Sequence, residues 1–177
     1  MKKIWLTRRE TTEIRQRATN LIQDINCVAP PVPVEAIAKK LGIELRYAPY
    51  NDGDLAGMLI WRPKPIIAIN SAHHKNRQRF TIAHEIGHYL LHADDGVHID
   101  ERMDILKRDA TSSLAIDRRE IEANQFAAEL LMPRSMLMRK LSQNPLDIED
   151  DQELIQLAKE YLVSAQAMTF RVANLFM

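Results

Sequence analysis

The chain holds one cysteine, Cys27, so it has no disulfide framework and fits a reducing compartment. Glycine is sparse, five in 177 residues, and proline stands at eight, which excludes collagen-like and low-complexity classes. Neither sign of charge is in surplus. With 24 Lys plus Arg against 24 Asp plus Glu, nothing in the total draws the chain to nucleic acid or to a membrane surface. No apolar run is long enough to span a bilayer, and the basic start "MKKIWLTRRETTEIRQR" lacks the apolar stretch of a secretory leader. These absences point to a cytoplasmic location. Charge is locally uneven, with "RRETTEIRQR" basic and "DIEDDQE" acidic, and solvated faces account for both.

What is present is ordinary globular material, 46% apolar and 27% charged, enough for a core without staples. Ile14, Ala18, Leu21, Ile22 and Ile25 recur at helical spacing and predict a helix from about Arg8 to Ile25. "APPVP" ends it, and "VEAIAKKLG" predicts a short helix closed by Gly42. "IELRY", "LAGMLIW" and "PIIAIN" read as strands separated by turn residues, and "PIIAIN" is a candidate edge strand for an extended substrate. Ser71 can cap the approach to a helix over roughly Asn76 to His92. Ala93 to Ile116 reads as loop with a short strand pair, and a strong helix from Asp117 to Met132 is stopped by Pro133. Two or three further helices complete the chain. The eight Met, including Met132, Met136 and Met138, and both Trp read as core filler, and Cys27 as a small buried apolar residue.

The chemistry concentrates in "FTIAHEIGHYLLH", Phe80 to His92. On a helical wheel Thr81, His84, Glu85, His88 and His92 share one sector, where a solvated stripe would carry Lys, Gln or Arg. His84 and His88 are one turn apart, so both rings can reach a single ion, and Glu85 beside them can take a proton from a water held there. This is the H-E-x-x-H arrangement, two metal ligands and a general base. A third ligand is needed. His92 lies eight residues from His84, about 12 Å of helical rise, too far to close on the same ion. It reads instead as a supporting or pocket-wall histidine, or as a structural one.

"DRREIEANQFAAELLMP" supplies two later carboxylates. On its wheel Ile121, Ala123, Ala127, Ala128, Leu130 and Leu131 centre the apolar face, whereas Glu122, Gln125 and Glu129 define the wet one. Glu120 and Asn124 fall within the apolar face. A buried carboxylate needs a cation to offset its desolvation. Glu120 is therefore the expected third ligand and Glu122 the alternative. Asn124, one turn on, can accept a hydrogen bond from a liganding histidine and fix its tautomer, or make a plain polar contact in the core.

"RQRFTIAHEIGHYLLH" followed by "REIEANQFAAELLMP" resembles the ImmA/IrrE family of metallo-endopeptidases, zincins with a gluzincin-type ligand set. The resemblance runs from "VPVEAIAKKLGIEL" to "LAKEYLVSAQAMTFRVANL". It implies an α+β zincin-like domain, a small twisted sheet packed on an active-site helix, over residues 1–148. A mostly helical, helix-turn-helix-like segment over 149–177 would pack on it. By position it implies His84, His88 and Glu120 as metal ligands and Glu85 as catalytic acid/base. Zinc is the favoured ion, with manganese and iron also accepted by two His and one carboxylate. The implied role is that of a cytoplasmic anti-repressor. Such an enzyme cleaves a separate helix-turn-helix (XRE-type) repressor encoded nearby, switching on stress-response or mobile-element genes in the manner of a toxin–antitoxin pair.

Two other readings compete. "ELIQLAKEYLVSAQAMTFRVANL" has the rhythm of a DNA-binding helix-turn-helix, but from Leu154 to Met177 only Lys159 and Arg171 against Glu160 are charged, little positive surface for phosphate. The same helices can simply pack on the catalytic domain, or dock the repressor. An idle zincin-like module that only binds a partner protein is the third reading. Tyr89, His73, His74 and His92 are candidate donors to an oxyanion, each with an ordinary packing role as the alternative.

Overall fold

The computed structural model describes residues 5–50, 55–61, 63–92, 97–101, 113–143 and 151–175. The first helix, α1 (Arg8–Asp24), starts at a capping box. The Thr7 hydroxyl accepts from the Glu10 amide at 3.3 Å and the Glu10 carboxylate accepts from the Thr7 amide at 2.7 Å, satisfying two donors of the first turn. Its apolar stripe of Ile14, Ala18 and Ile22 is buried. Helix α2 (Val34–Lys40) ends as the sequence predicts, with Gly42 at φ +73°. The Gly42 amide reaches the Lys39 carbonyl and the Ile43 amide the Ala38 carbonyl, a Schellman closure open to glycine without strain.

Four strands follow: β1 (Glu44–Ala48), β2 (Leu55–Ile60), β3 (Ile66–Asn70) and, after helix α3 (Lys75–Leu91), β4 (Val97–Glu101). They form one sheet in the order β1-β3-β2-β4, with β1 parallel to β3 and the other pairs antiparallel. The expectation that "PIIAIN" is an edge strand is therefore corrected: β3 is paired on both sides. Its run of Ile67 to Asn70 is buried throughout, the pattern of an internal strand, whereas β1 is mostly exposed and lies at an edge. The described part of the span Ala93 to Ile116 holds β4, which pairs with β2; residues 93–96 and 102–112, where the expected second strand of a pair would fall, lie outside the described residues. Helix α4 (Ser113–Leu131) begins earlier than the Asp117 expected, and α5 (Arg134–Gln143), α6 (Asp151–Tyr161) and α7 (Ala165–Ala173) complete the described chain. The architecture is α+β, with the small mixed sheet on one side of α3. No helix among the described residues is long and apolar enough to cross a membrane.

Helix α3 is the centre of the molecule, buried from Gln78 to His88 except for the half-buried Phe80. The sheet approaches it closely at Gly57 of β2. A Cβ there would lie 2.5 Å from Thr81 Cγ2 and 2.7 Å from the Ala68 carbonyl oxygen, and the latter cannot swing aside. Gly57→Ala is expected to lower stability by about 1–3 kcal/mol through overpacking, read as a fall in the denaturant midpoint at unchanged m-value.

Several side chains depart from expectation. The wheel of α4 put Glu129 on the wet face, but it is 1% exposed. Its Oε1 and Oε2 accept from Arg171 of α7 at 3.1 and 2.5 Å, and Arg15 of α1 adds a bond to Oε1 at 3.1 Å. A wheel shows only one helix's own polarity, and here two other helices bring cations to the polar side. Arg171 consequently faces inward, donating also to the Met132 carbonyl, and is no surface charge for a nucleic acid. Met132 and Met136 are buried as expected, whereas Trp5 is 73% and Met138 38% exposed. Trp61 is half-buried against Tyr89, ring centroids 5.2 Å apart, and Cys27 is half-buried rather than enclosed.

Candidate metal centre

The site forms where α3 crosses α4. The crossing is close because Gly87 stands between His84 and His88. A Cβ on residue 87 would meet the Ala123 Cα, the Ala123 carbonyl oxygen and Phe126 Cδ1, each at 3.2 Å. Glycine here lets the backbone of α4 approach to a distance that brings Glu120 to the two imidazoles.

His84 Nε2 lies 3.3 Å from Glu120 Oε2, His88 Nε2 lies 3.2 Å from Glu120 Oε1, and the two Nε2 atoms are 3.0 Å apart. One carboxylate thus straddles both rings. Ligand atoms at about 2.0–2.1 Å from a tetrahedral ion stand about 3.3 Å from one another, so these separations fit a single small divalent cation. Ligating atoms of His84, His88 and Glu120 all lie within 4.8 Å of one another. Both histidines are 2% exposed while Glu120 is half-buried, which leaves the site an approach from the α4 side. The donor set, two nitrogens and a carboxylate in a largely dry place, suits zinc and also manganese or iron.

The surroundings orient the rings. Asn124 Oδ1 lies 3.1 Å from His84 Nδ1, where it accepts the Nδ1 proton and leaves the Nε2 lone pair for the ion. Phe80 stacks on the same ring with centroids 6.0 Å apart. His88 Nδ1 lies 3.2 Å from His92 Nδ1, and His92 Nε2 is 2.8 Å from Glu122 Oε2. Burial holds the His92 imidazole below its ordinary pKa, while the hydrogen bond and charge of Glu122 pull the other way. Glu85 follows His84 on α3 and is 0% exposed, an arrangement that is unfavourable for a carboxylate unless donors or a cation compensate it.

The structure therefore brings His84, His88 and Glu120 together, with Asn124 and His92 against their rings. It separates Glu122 from them: that carboxylate ends a chain through His92. His74 caps the N-terminal end of α3 by accepting from the Asn76 amide at 3.2 Å, about 15 Å of helical rise before His84. The sequence reading missed Gly87 as the reason the two helices can meet. The small residue inside the motif, opposite Ala123 of the second motif, is the signal that could have shown it.

An H-E-x-x-H helix on a small mixed sheet, closed by a glutamate from the next long helix, defines a zincin-like metallopeptidase domain. The family model for peptidase M78, described as the IrrE N-terminal-like domain, matches residues 38–173. The chain belongs to that family. It is 35% identical over 135 residues to the radiation response metalloprotease IrrE of Deinococcus radiodurans, covering 75% of this chain and 37% of that protein. The protein of the same name from Deinococcus deserti is 33% identical over 135 residues, covering 75% of this chain and 43% of its own length. The chain thus spans less than half the length of these curated relatives. A Mycobacterium tuberculosis transcriptional regulator of known structure shares the fold, with a TM-score of 0.63 at 16% identity over 93% of this chain and 48% of that one.

Proposed function

We propose that the protein is a metal-dependent endopeptidase in which His84, His88 and Glu120 hold one divalent ion and Glu85 is the catalytic acid/base. The observation that carries this is the convergence of three ligating side chains from two helices within 4.8 Å. Bound there, the cation supplies a Lewis acid that brings the pKa of water to about 7 and polarises a carbonyl. Glu85 Oε accepts the proton of the attacking water and delivers it to the departing amine nitrogen. Asn124 and His92 steady the two imidazoles so that both Nε2 lone pairs face the same point. Buried α3 keeps bulk water from these groups.

The substrate we infer is a protein, a helix-turn-helix repressor of the XRE type encoded nearby, and the setting the cytoplasm. Cleavage would release stress-response or mobile-element genes, an anti-repressor role. The family resemblance in the paired motifs supports this, as does the radiation response named for both Deinococcus relatives. Residues 149–177, carrying α6 and α7, are assigned to a segment packed on the catalytic domain rather than to a DNA-binding unit, which the inward Arg171 supports.

The test mixes purified protein, zinc or manganese, and the repressor encoded by the adjacent gene, with fragments read by mass spectrometry. Chelation is expected to abolish cleavage, and Glu120→Ala to weaken metal binding beyond the roughly 10–100-fold typical of losing an outer partner. Cleavage that persists in Glu120→Ala at wild-type metal affinity would remove Glu120 from the ligand set.

A further inference from the structure

The sheet has an open edge that the metal centre does not use. Among the described strands β1 pairs with β3 alone, in an unbroken five-residue register. The Glu44 amide donates to the Pro65 carbonyl at 2.9 Å, and the Ala48 carbonyl accepts from the Ser71 amide at 3.0 Å. Backbone groups alternate in direction along a strand. Glu44, Arg46 and Ala48 therefore turn theirs to β3, and Leu45 and Tyr47 turn theirs outward. Glu44, Arg46, Tyr47 and Ala48 are all exposed. Such an edge is a template for another strand unless proline, a bulge or repelling charges blunt it. "ELRYA" has no proline and no bulge, and its two charges, Glu44 and Arg46, cancel.

Those charges also select what fits there. When two copies of β1 meet edge to edge about a two-fold axis, residues with outward amides must face one another. Centring the axis on Leu45 puts Leu45 opposite Leu45, bonded both ways, and Tyr47 opposite Ile43. Glu44 then stands opposite Arg46 of the other copy, twice over, in the non-hydrogen-bonded positions where side chains come closest. The neighbouring registers are worse. Centring on Glu44 or on Arg46 sets like charges face to face. Centring on Tyr47 brings Leu45 opposite Pro49, which has no amide proton. Centring on Ile43 needs an amide already bonded to the Ala38 carbonyl at 2.9 Å. Arg46 Nε and Glu44 Oε1 are 2.7 Å apart on one face of β1, so the favoured register closes an alternating ring of four charges.

We propose that β1 is a self-pairing edge through which two copies of the chain join antiparallel, doubling the four-stranded sheet and leaving β4 outermost at each end. The pairing is independent of the metal centre, whose ligands lie on α3 and α4. An extended segment of an unrelated protein would meet the same outward amides without the two matched charge pairs.

Sedimentation equilibrium of the full chain over a concentration series reads the association. The wild type should reach the mass of two chains and no more, because two-fold pairing consumes the edge. Five paired residues make a small interface, so dissociation on dilution is expected. Leu45→Pro removes the central amide, which has no bond to β3, and should leave a single chain. Leu45 is also half-buried, so exchanging the charges gives an independent reading. Glu44→Arg alone and Arg46→Glu alone should each raise the dimer Kd about tenfold or more, since symmetry doubles every repulsion. Combining the two substitutions in one chain should restore association. So should mixing the two single variants, one strand then carrying two positive charges and the other two negative. A folding defect would not be repaired by mixing. A wild type that stays a single chain at its highest soluble concentration overturns the proposal and leaves the edge to some other strand. So does a dimer that neither Leu45→Pro nor the charge reversals weaken, assembly that grows past two chains, or a charge exchange that fails to restore pairing.

Discussion

Glu85→Gln is expected to lower peptide-bond hydrolysis by about 10²- to 10⁴-fold, the usual share of a general base. The substitution is nearly isosteric and removes only the capacity to take a proton. Glu85 is buried beside His84, so an amide of the same shape keeps the packing of α3 against the sheet and α4. Metal affinity and melting midpoint should therefore stay close to wild type while turnover falls. The decline should appear in kcat and in kcat/KM alike, because the group acts on the transition state rather than on bound substrate. Hydrolysis at undiminished rate would show that the catalytic base is elsewhere, whereas no hydrolysis by either form would return the chain to the reading of an idle module.

Arg171→Met is expected to destabilise the fold by about 3–5 kcal/mol, because it strands one half of a buried ion pair. Both oxygens of Glu129 face Arg171, and the carboxylate is 1% exposed. Arg15 and Gln125 remain within reach of Oε1, but Oε2 loses its cation. For a chain of this size the melting midpoint should fall on the order of 10 °C. Adding Glu129→Leu should recover much of the loss, since a well-packed apolar pair can match a buried ionic one. The double variant therefore separates the stranding of a charge from the value of the pair. A single variant within about 1 kcal/mol of wild type would mean that water reaches Glu129 in solution.

How far the sequence could be read follows from which features are local. The H-E-x-x-H spacing fixes two rings on one turn, so His84 and His88 were legible from residue positions alone. Glu120 was legible because a carboxylate on an apolar face demands a cation, and the structure brings it within 3.3 Å of both imidazoles. The capping box at Thr7 and the αL glycine at residue 42 are likewise short-range patterns. What escaped depended on other elements. Glu129 looked wet because its cations come from α1 and α7, far off in the chain. β3 was misplaced because whether a strand is internal depends on β1, which pairs with it although β2 lies between them in the chain. Its unbroken apolar run was the available hint. Glu122 could not be placed before His92 was, since the eight-residue offset from His84 said only where that ring could not bind.

Gly87 carries a consequence for anyone trying to make the protein more robust. Helix propensity alone ranks it first for replacement, as alanine in a helix interior is favoured over glycine by about 1 kcal/mol. Yet the added methyl would meet the α4 backbone at 3.2 Å, so α4 would have to give by a few tenths of an ångström at the point where the side chains of the two helices converge. A thermostability screen that scores melting alone can keep such a substitution, and the loss would surface only when bound metal is counted per mole of chain.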